Sequence, residues 1–193
     1  MRQTTESDSQ LIQSFLKGDV SGVEKLFKRY QNKIYTYIFF LVKKEDIAED
    51  IFQDTFLKVY HSLKKGKYKD DGRFVSWATR IAHNLVIDYF REQTKTKMIS
   101  GHAQEDIVYF ENSEKNVESQ IINQQIHDDI KKLIDYLPED QREVVIMRNY
   151  MDMSFKEIAD ISGVSINTAL GRMRYAIINL RKLIKEHNII VQQ

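Results

Sequence analysis

The chain has 193 residues, 42% of them apolar, with 29 Lys and Arg against 28 Asp and Glu. That is enough apolar material for one ordinary domain or two small ones, and the near-cancelled charge excludes both self-repelling disorder and a uniformly basic coat for nucleic acid. Seven glycines and one proline are too few for the turns of a many-stranded sandwich or barrel, so helices are expected.

The absence of cysteine excludes disulfides, thiolate zinc sites and thiol nucleophiles, and fits a reducing compartment, with the cytoplasm as the expected location. No Gly-rich phosphate loop of the GxGxxG or GxxxxGK kind occurs, so no nucleotide cofactor is expected. The N-terminus is polar, and the longest apolar run, Ile38 to Val42, is far short of the roughly 18 residues of a membrane span. No membrane insertion is expected.

In chain order, Asp19 stands as an N-cap before a helical pattern over Val20 to Tyr30. Ala48, Ile51, Phe52, Thr55, Phe56 and Val59 then recur at spacings of three and four, one face of a further helix, and Asp46 followed by Glu49 reads as its capping-box-like start. The same helix crowds Glu45, Asp46, Glu49, Asp50 and Asp54 together. Nucleic acid would be repelled there, and a protein partner suits the face better. Paired carboxylates can also mean acid/base catalysis or a metal, but no histidine stands at ligand spacing and no HExxH occurs, so neither a catalytic residue nor a metal site is assigned.

Between Lys58 and Arg80 lie seven basic residues and two acidic ones, interleaved with Tyr60, Tyr68, Phe74 and Trp77. This composition suits a single strand, whose bases stack on rings while lysines follow phosphates. The next helix buries a stripe of Phe74, Trp77, Ala78, Ile81, Ala82, Leu85 and Tyr89, and sets Arg80, Asn84, Asp88 and Arg91 on the opposite face. Arg and Asn can read base edges by paired hydrogen bonds, and the same spacing also describes a solvated ladder; both readings stand on spacing alone.

From about Gln93 to Asn123 the periodicity fails, and residues 94–124 read as a flexible linker between a first domain over 8–93 and a second over 125–187. Pro138 suits the first turn of a helix. Ser154 and Glu157 form an S-x-x-E capping box, Gly163 sits where a helix ends left-handed, and Ser165 caps a new helix after a turn of about three residues. Helix, short Gly-containing turn and helix make a helix-turn-helix, whose second helix can enter a DNA major groove. Beyond Asp160 the charges are Arg172, Arg174, Arg181, Lys182 and Lys185 against Glu186 alone, so the recognition half is the basic half.

Three stretches taken together resemble the extracytoplasmic-function sigma factors, the compact two-domain members of the bacterial sigma-70 superfamily. AEDIFQDTFLKVY resembles their core-polymerase-binding helix, GRFVSWATRIAHNLVIDYFRE their promoter-melting and downstream-element helix, and LPEDQREVVIMRNYMDMSFKEIADISGVSINTALGRMRYA their C-terminal domain. The resemblance implies an all-α fold of two small helical domains, sigma domain two and sigma domain four, on either side of the linker. It implies a promoter-specificity subunit that directs core RNA polymerase to a subset of promoters, assists DNA melting at transcription initiation and is not itself an enzyme. By position, Asp50, Gln53, Asp54 and Phe56 match the polymerase-binding face. Arg80, Asn84, Asp88 and Arg91 match the helix that reads the downstream element as a single strand. Asn167, Thr168, Arg172 and Arg174 match the recognition helix for the duplex upstream element. An anti-sigma factor is implied as a further partner. Many members carry a basic residue and a serine where this chain has Leu170 and Gly171, which removes polar contacts to the upstream element. The alternative is a stand-alone helix-turn-helix transcriptional regulator, which predicts a dimer that binds duplex DNA without polymerase. A helical adaptor that binds only proteins predicts no salt-dependent DNA binding.

Overall fold

The computed structural model describes residues 6–100 and 132–187, apart from the side chains of 96–100. They fall into two separate units, all helical among the described residues.

The N-terminal unit begins with α1 (Asp8–Leu16), which starts at a capping box: the Ser7 hydroxyl accepts from the Gln10 amide, and the Gln10 side chain accepts from the Ser7 amide at 2.8 Å. Helix α2 (Val20–Val42) is capped by Asp19, whose carboxylate accepts from the Ser21 amide at 3.0 Å. Asp19 also accepts from the Ser14 hydroxyl, and these hydrogen bonds hold its carboxyl below the usual range. Gly22 is required where α1 crosses α2: a Cβ there would lie 2.3 Å from the Leu11 carbonyl oxygen.

Helix α2 ends at Lys43 in the left-handed region, φ 58°, and α3 (Glu45–Lys64) starts two residues later. Its N-cap is Lys44, without a side-chain cap, so the expected capping role of Asp46 is corrected. The left-handed Lys43 restarts the helix too early for Asp46 to stand outside it, and Glu45 and Asp46 instead occupy the first turn, where the helix dipole favours negative charge. Helix α4 (Phe74–Ser100) runs through the first seven residues of the expected linker. The sequence 94–100 contains neither Gly nor Pro, and Gly101 is the first residue that would favour a stop. The rest of the expected linker, 101–124, lies outside the described residues.

The core of this unit gathers Leu11 and Phe15 from α1, Leu26, Ile34 and Ile38 from α2, Ala48 and Val59 from α3, and Phe74, Ala78, Ala82 and Val86 from α4. The line 74/78/82/86 is the deepest part of the α4 stripe, whereas Trp77, Ile81, Leu85 and Tyr89 are half-buried along its edges. Thr55 and Thr79, both fully buried, donate to the carbonyls of Ile51 and Val75 one turn earlier, so neither hydroxyl is left unpaired.

In the C-terminal unit, residues 132–135 are helical, followed by α5 (Glu139–Asn149), α6 (Phe155–Ser162) and α7 (Ile166–Glu186). Pro138 is the N-cap of α5 (φ −50°, ψ 146°), one position before the expected first turn. Arg142, half-buried, donates to the carbonyls of Ile134, Asp135 and Leu137, tying residues 132–137 to α5. Leu137, Val144, Ile146, Met147, Met151, Met153, Ile158, Ala169 and Ala176 close the core.

Candidate nucleic-acid interface and partner surface

The helix-turn-helix follows the local code of the sequence. Ser154 and Glu157 complete the capping box of α6, Gly163 ends that helix left-handed at φ 66°, and Ser165 caps α7 by accepting from the Thr168 amide at 3.0 Å. Residues 163–165 are the whole turn.

On α7 the expected residues do not share one face. Asn167, Thr168 and Arg174 are exposed, with the Thr168 hydroxyl 2.8 Å from that of Ser165. Arg172 is turned about 160° away from Arg174 around the helix and forms an ion pair with Asp140 of α5, Nε to Oδ2 3.2 Å, its side chain 24% exposed. Two features escaped the sequence reading. Leu170, Ile177 and Ile178 are exposed and, with Phe155 and Met173, line a shallow apolar groove edged by Arg174 and Arg181; the i, i+7 spacing of Leu170 and Ile177 was the available signal. Arg148 donates to the Met153 carbonyl at 2.8 Å and lies over the Phe155 ring, 5.4 Å from its centroid, adding a cation beside that groove.

On α3, Asp50, Gln53 and Asp54 are exposed along one face. Phe56 is not with them: it is half-buried on the side that packs against α2, its ring 4.1 Å from that of Phe27 and 4.6 Å from that of Phe52. Two of the acids, Glu45 and Glu49, together with burial push the Tyr35 hydroxyl up, burial being the larger cause.

On α4, Arg80, Asn84, Asp88 and Arg91 are all exposed. Asp88 pairs with Arg91 at 3.4 Å, a contact well open to solvent that holds neither side chain firmly. The connection before α4 carries exposed Lys67 and Lys69, and Tyr68 folds back so that its ring lies 4.7 Å from that of Trp77 and 5.9 Å from that of Phe74. Burial, then Asp70 and Asp71, raise the Tyr68 hydroxyl far above the ordinary tyrosine range, so it stays neutral. Arg73 closes this turn on Asp71 by two hydrogen bonds from its guanidinium and one from its backbone amide, and holds that carboxyl below its usual value. Trp77 is half-buried among these rings, which supports a packing role with one edge toward solvent.

Among the described residues no group of three or more His, Asp or Glu side chains is placed to hold a metal ion, and no helix is long and apolar enough to cross a membrane.

Comparison with known proteins separates the chain along the same lines. Residues 26–96 match the family model of sigma-70 region 2, which takes in most of α2, the acidic face of α3 and the polar face of α4. Residues 127–170 match that of sigma-70 region 4, which takes in α5, α6 and the first turn of α7, including Asn167 and Thr168 but not Arg172 or Arg174. The RNA polymerase sigma-H factor of Pseudomonas aeruginosa is 29% identical over 175 residues, 88% of this chain and 90% of that protein. The ECF RNA polymerase sigma-E factor of Escherichia coli is 27% identical, covering 86% of this chain and 88% of that protein. In fold, the chain is similar to the sigma factor RpoE of Bartonella quintana, solved in complex with the anti-sigma factor NepR, with TM-score 0.68, 23% identity and coverage of 86% of this chain and 98% of that one. With two regions matched in order and relatives matched over nearly their whole length, the chain belongs to the sigma-70 family of RNA polymerase sigma factors, in its extracytoplasmic-function group.

Proposed function

We propose that this chain is the promoter-specificity subunit of a bacterial RNA polymerase, which directs core enzyme to a subset of promoters and assists their melting. The observation that carries the reading is the division of exposed polar faces: an acidic one on α3 and a mixed Arg/Asn/Asp one on α4 in the region-2 unit, and a basic recognition helix in the region-4 unit. Residues 8–93 form the unit for polymerase and the downstream element, and 125–187 the unit for the upstream element.

Asp50, Gln53 and Asp54 face core polymerase, with Phe56 shaping the face from beneath. Arg80, Asn84, Asp88 and Arg91 follow the downstream element as a single strand. Asn167 and Arg174, about 20° apart around α7, face the upstream duplex, Thr168 meets it from the first turn of the helix, and Arg172 holds α7 to α5 through Asp140. Reading an unpaired strand requires a base pulled from the stack, at a cost of a few kcal/mol. The free chain, with net charge +1, has little general attraction for DNA to offset that cost. Polymerase and its own DNA contacts supply the difference, which makes promoter recognition conditional on assembly.

The chain contributes binding surfaces and no chemistry, works in the cytoplasm, and is held inactive by a protein of the anti-sigma class, a partner supported by its likeness to a sigma factor solved with one. Run-off transcription with purified core polymerase over a promoter library tests the reading, with Asp54→Arg as the control. The wild type selects a promoter subset. Asp54→Arg loses association with core polymerase in a pull-down while its thermal unfolding stays nearly unchanged, because the side chain is exposed. Unaltered pull-down of Asp54→Arg would remove α3 from the polymerase interface.

A further inference from the structure

Helix α3 presents an apolar side chain at the C-terminal end of its acidic surface. Among the described residues of the N-terminal unit, three large apolar side chains are exposed: Leu16, Val20 and Leu57. Leu16 ends α1 and Val20 begins α2, so both flank a turn. Leu57 alone is in the middle of a helix, and it is 57% exposed.

At about 100° per residue, Leu57 stands within about 20° of Asp50 around the α3 axis, about 40° from Gln53 and about 60° from Asp54. Helical side chains lean toward the N-terminus, so the Leu57 isobutyl group covers the turn that carries Gln53 and Asp54. The other apolar residues of α3 turn elsewhere: Ile51, Val59 and Leu63 are buried, and Ile47, Phe52 and Phe56 are half-buried. A single exposed leucine is ordinary on a protein surface; this one continues the exposed stripe of Asp46, Asp50, Gln53 and Asp54 by one turn toward the C-terminus, so a partner that covers those residues also takes the leucine out of water, apolar contact beside a charged surface.

We infer that Leu57 is the apolar anchor of the α3 face and inserts into core RNA polymerase, on a patch where Lys or Arg lies beside an apolar depression. The inference rests on the proposed role of α3, and the occupant follows from charge complementarity to Glu45, Asp46, Glu49, Asp50 and Asp54. The two kinds of residue divide the work. Carboxylates act at a distance, steer the encounter and weaken as salt rises. A desolvated leucine acts only on contact and holds the complex once formed.

Binding of the full-length chain to immobilised core polymerase, followed as association and dissociation rates at low and high salt, tests the division. Leu57→Ala dissociates at least tenfold faster with the salt dependence of association unchanged, and Leu57→Met, which keeps the apolar volume, retains near wild-type residence. Asp54→Asn instead slows association and flattens its salt dependence. If Leu57→Ala dissociates at the wild-type rate while Asp54→Arg fails to bind, the anchor is overturned and the α3 face stands. If both bind as wild type, the α3 face itself fails and the anchor with it.

Discussion

Arg172 on α7 reaches back to Asp140 in the first turn of α5, Nε to Oδ2 3.2 Å, and so joins the recognition helix to the helix behind it. Asp140 also meets the positive end of the α5 dipole. With the two side chains 24% and 48% exposed, solvent screens the pair, and it contributes less than about 1 kcal/mol. Arg172→Ala should therefore lower the stability of the C-terminal unit slightly and leave base preference on duplex DNA unchanged. Arg174→Ala, on the exposed flank, should cost about 1 to 3 kcal/mol of affinity if it contacts a base. Competition binding of holoenzyme to promoters varied at each upstream base pair measures both; an Arg172→Ala loss confined to one base pair would put that side chain on DNA.

Gly22→Ala should destabilise the N-terminal unit by about 2 to 4 kcal/mol, since the new methyl must push apart two helix backbones. Gly18→Ala makes a useful contrast. Nothing lies near its Cβ, but its φ of 104° strains any side chain, and about 1 kcal/mol is expected. Thermal unfolding of the full chain compares them, and equal losses would mean that α1 and α2 separate easily enough to accept the methyl.

Asn84→Ala should keep core binding and upstream-element binding but lower open-complex formation and flatten preference at one downstream position. An amide donates and accepts at once, so it discriminates the edge of an unstacked base as alanine cannot. Permanganate footprinting of holoenzyme on promoters varied at each downstream base gives the answer. An unchanged preference would leave Asn84 as a surface residue worth at most about 0.5 kcal/mol in stability.

Tyr30 gives the N-terminal unit an alkaline limit. Its hydroxyl donates to Asp8 at 2.5 Å, and burial, followed by that hydrogen bond and the Asp8 charge, pushes it up to about 12. A raised tyrosine stabilises the fold fully below the unfolded value near 10 and loses that contribution as pH rises through about 12. Unfolding by denaturant at a series of alkaline pH values should show this slope, and Tyr30→Phe should flatten it; an identical slope in the variant would assign it elsewhere.

Local signals were legible in the sequence wherever neighbours in the chain decide the outcome. Asp19, the Ser154–Glu157 box, Gly163 and Ser165 all stand at the expected caps, because a cap is settled within four residues. Asp46 failed for a reason one turn away, the left-handed Lys43. The Ser7–Gln10 box is the same kind of local signal for the start of α1. Arg172 and Phe56 could not be placed from spacing, since what turns them from the exposed faces is Asp140, 32 residues earlier, and Phe27, 29 residues earlier. The acidic face of α3 and the polar face of α4 were readable because amphipathic periodicity records which side meets water.

The polar stripe of α4 is also a ruler. Arg80 and Arg91 are 11 residues apart within one uninterrupted helix, about 16 Å at a rise of about 1.5 Å per residue. A strand stacked at about 3.4 Å per nucleotide would pass the whole stripe in about five steps, and an unstacked, extended strand in fewer. The stripe therefore has room for one short word of sequence, and lengthening the element beyond it would place the added bases where α4 offers no side chain from this set.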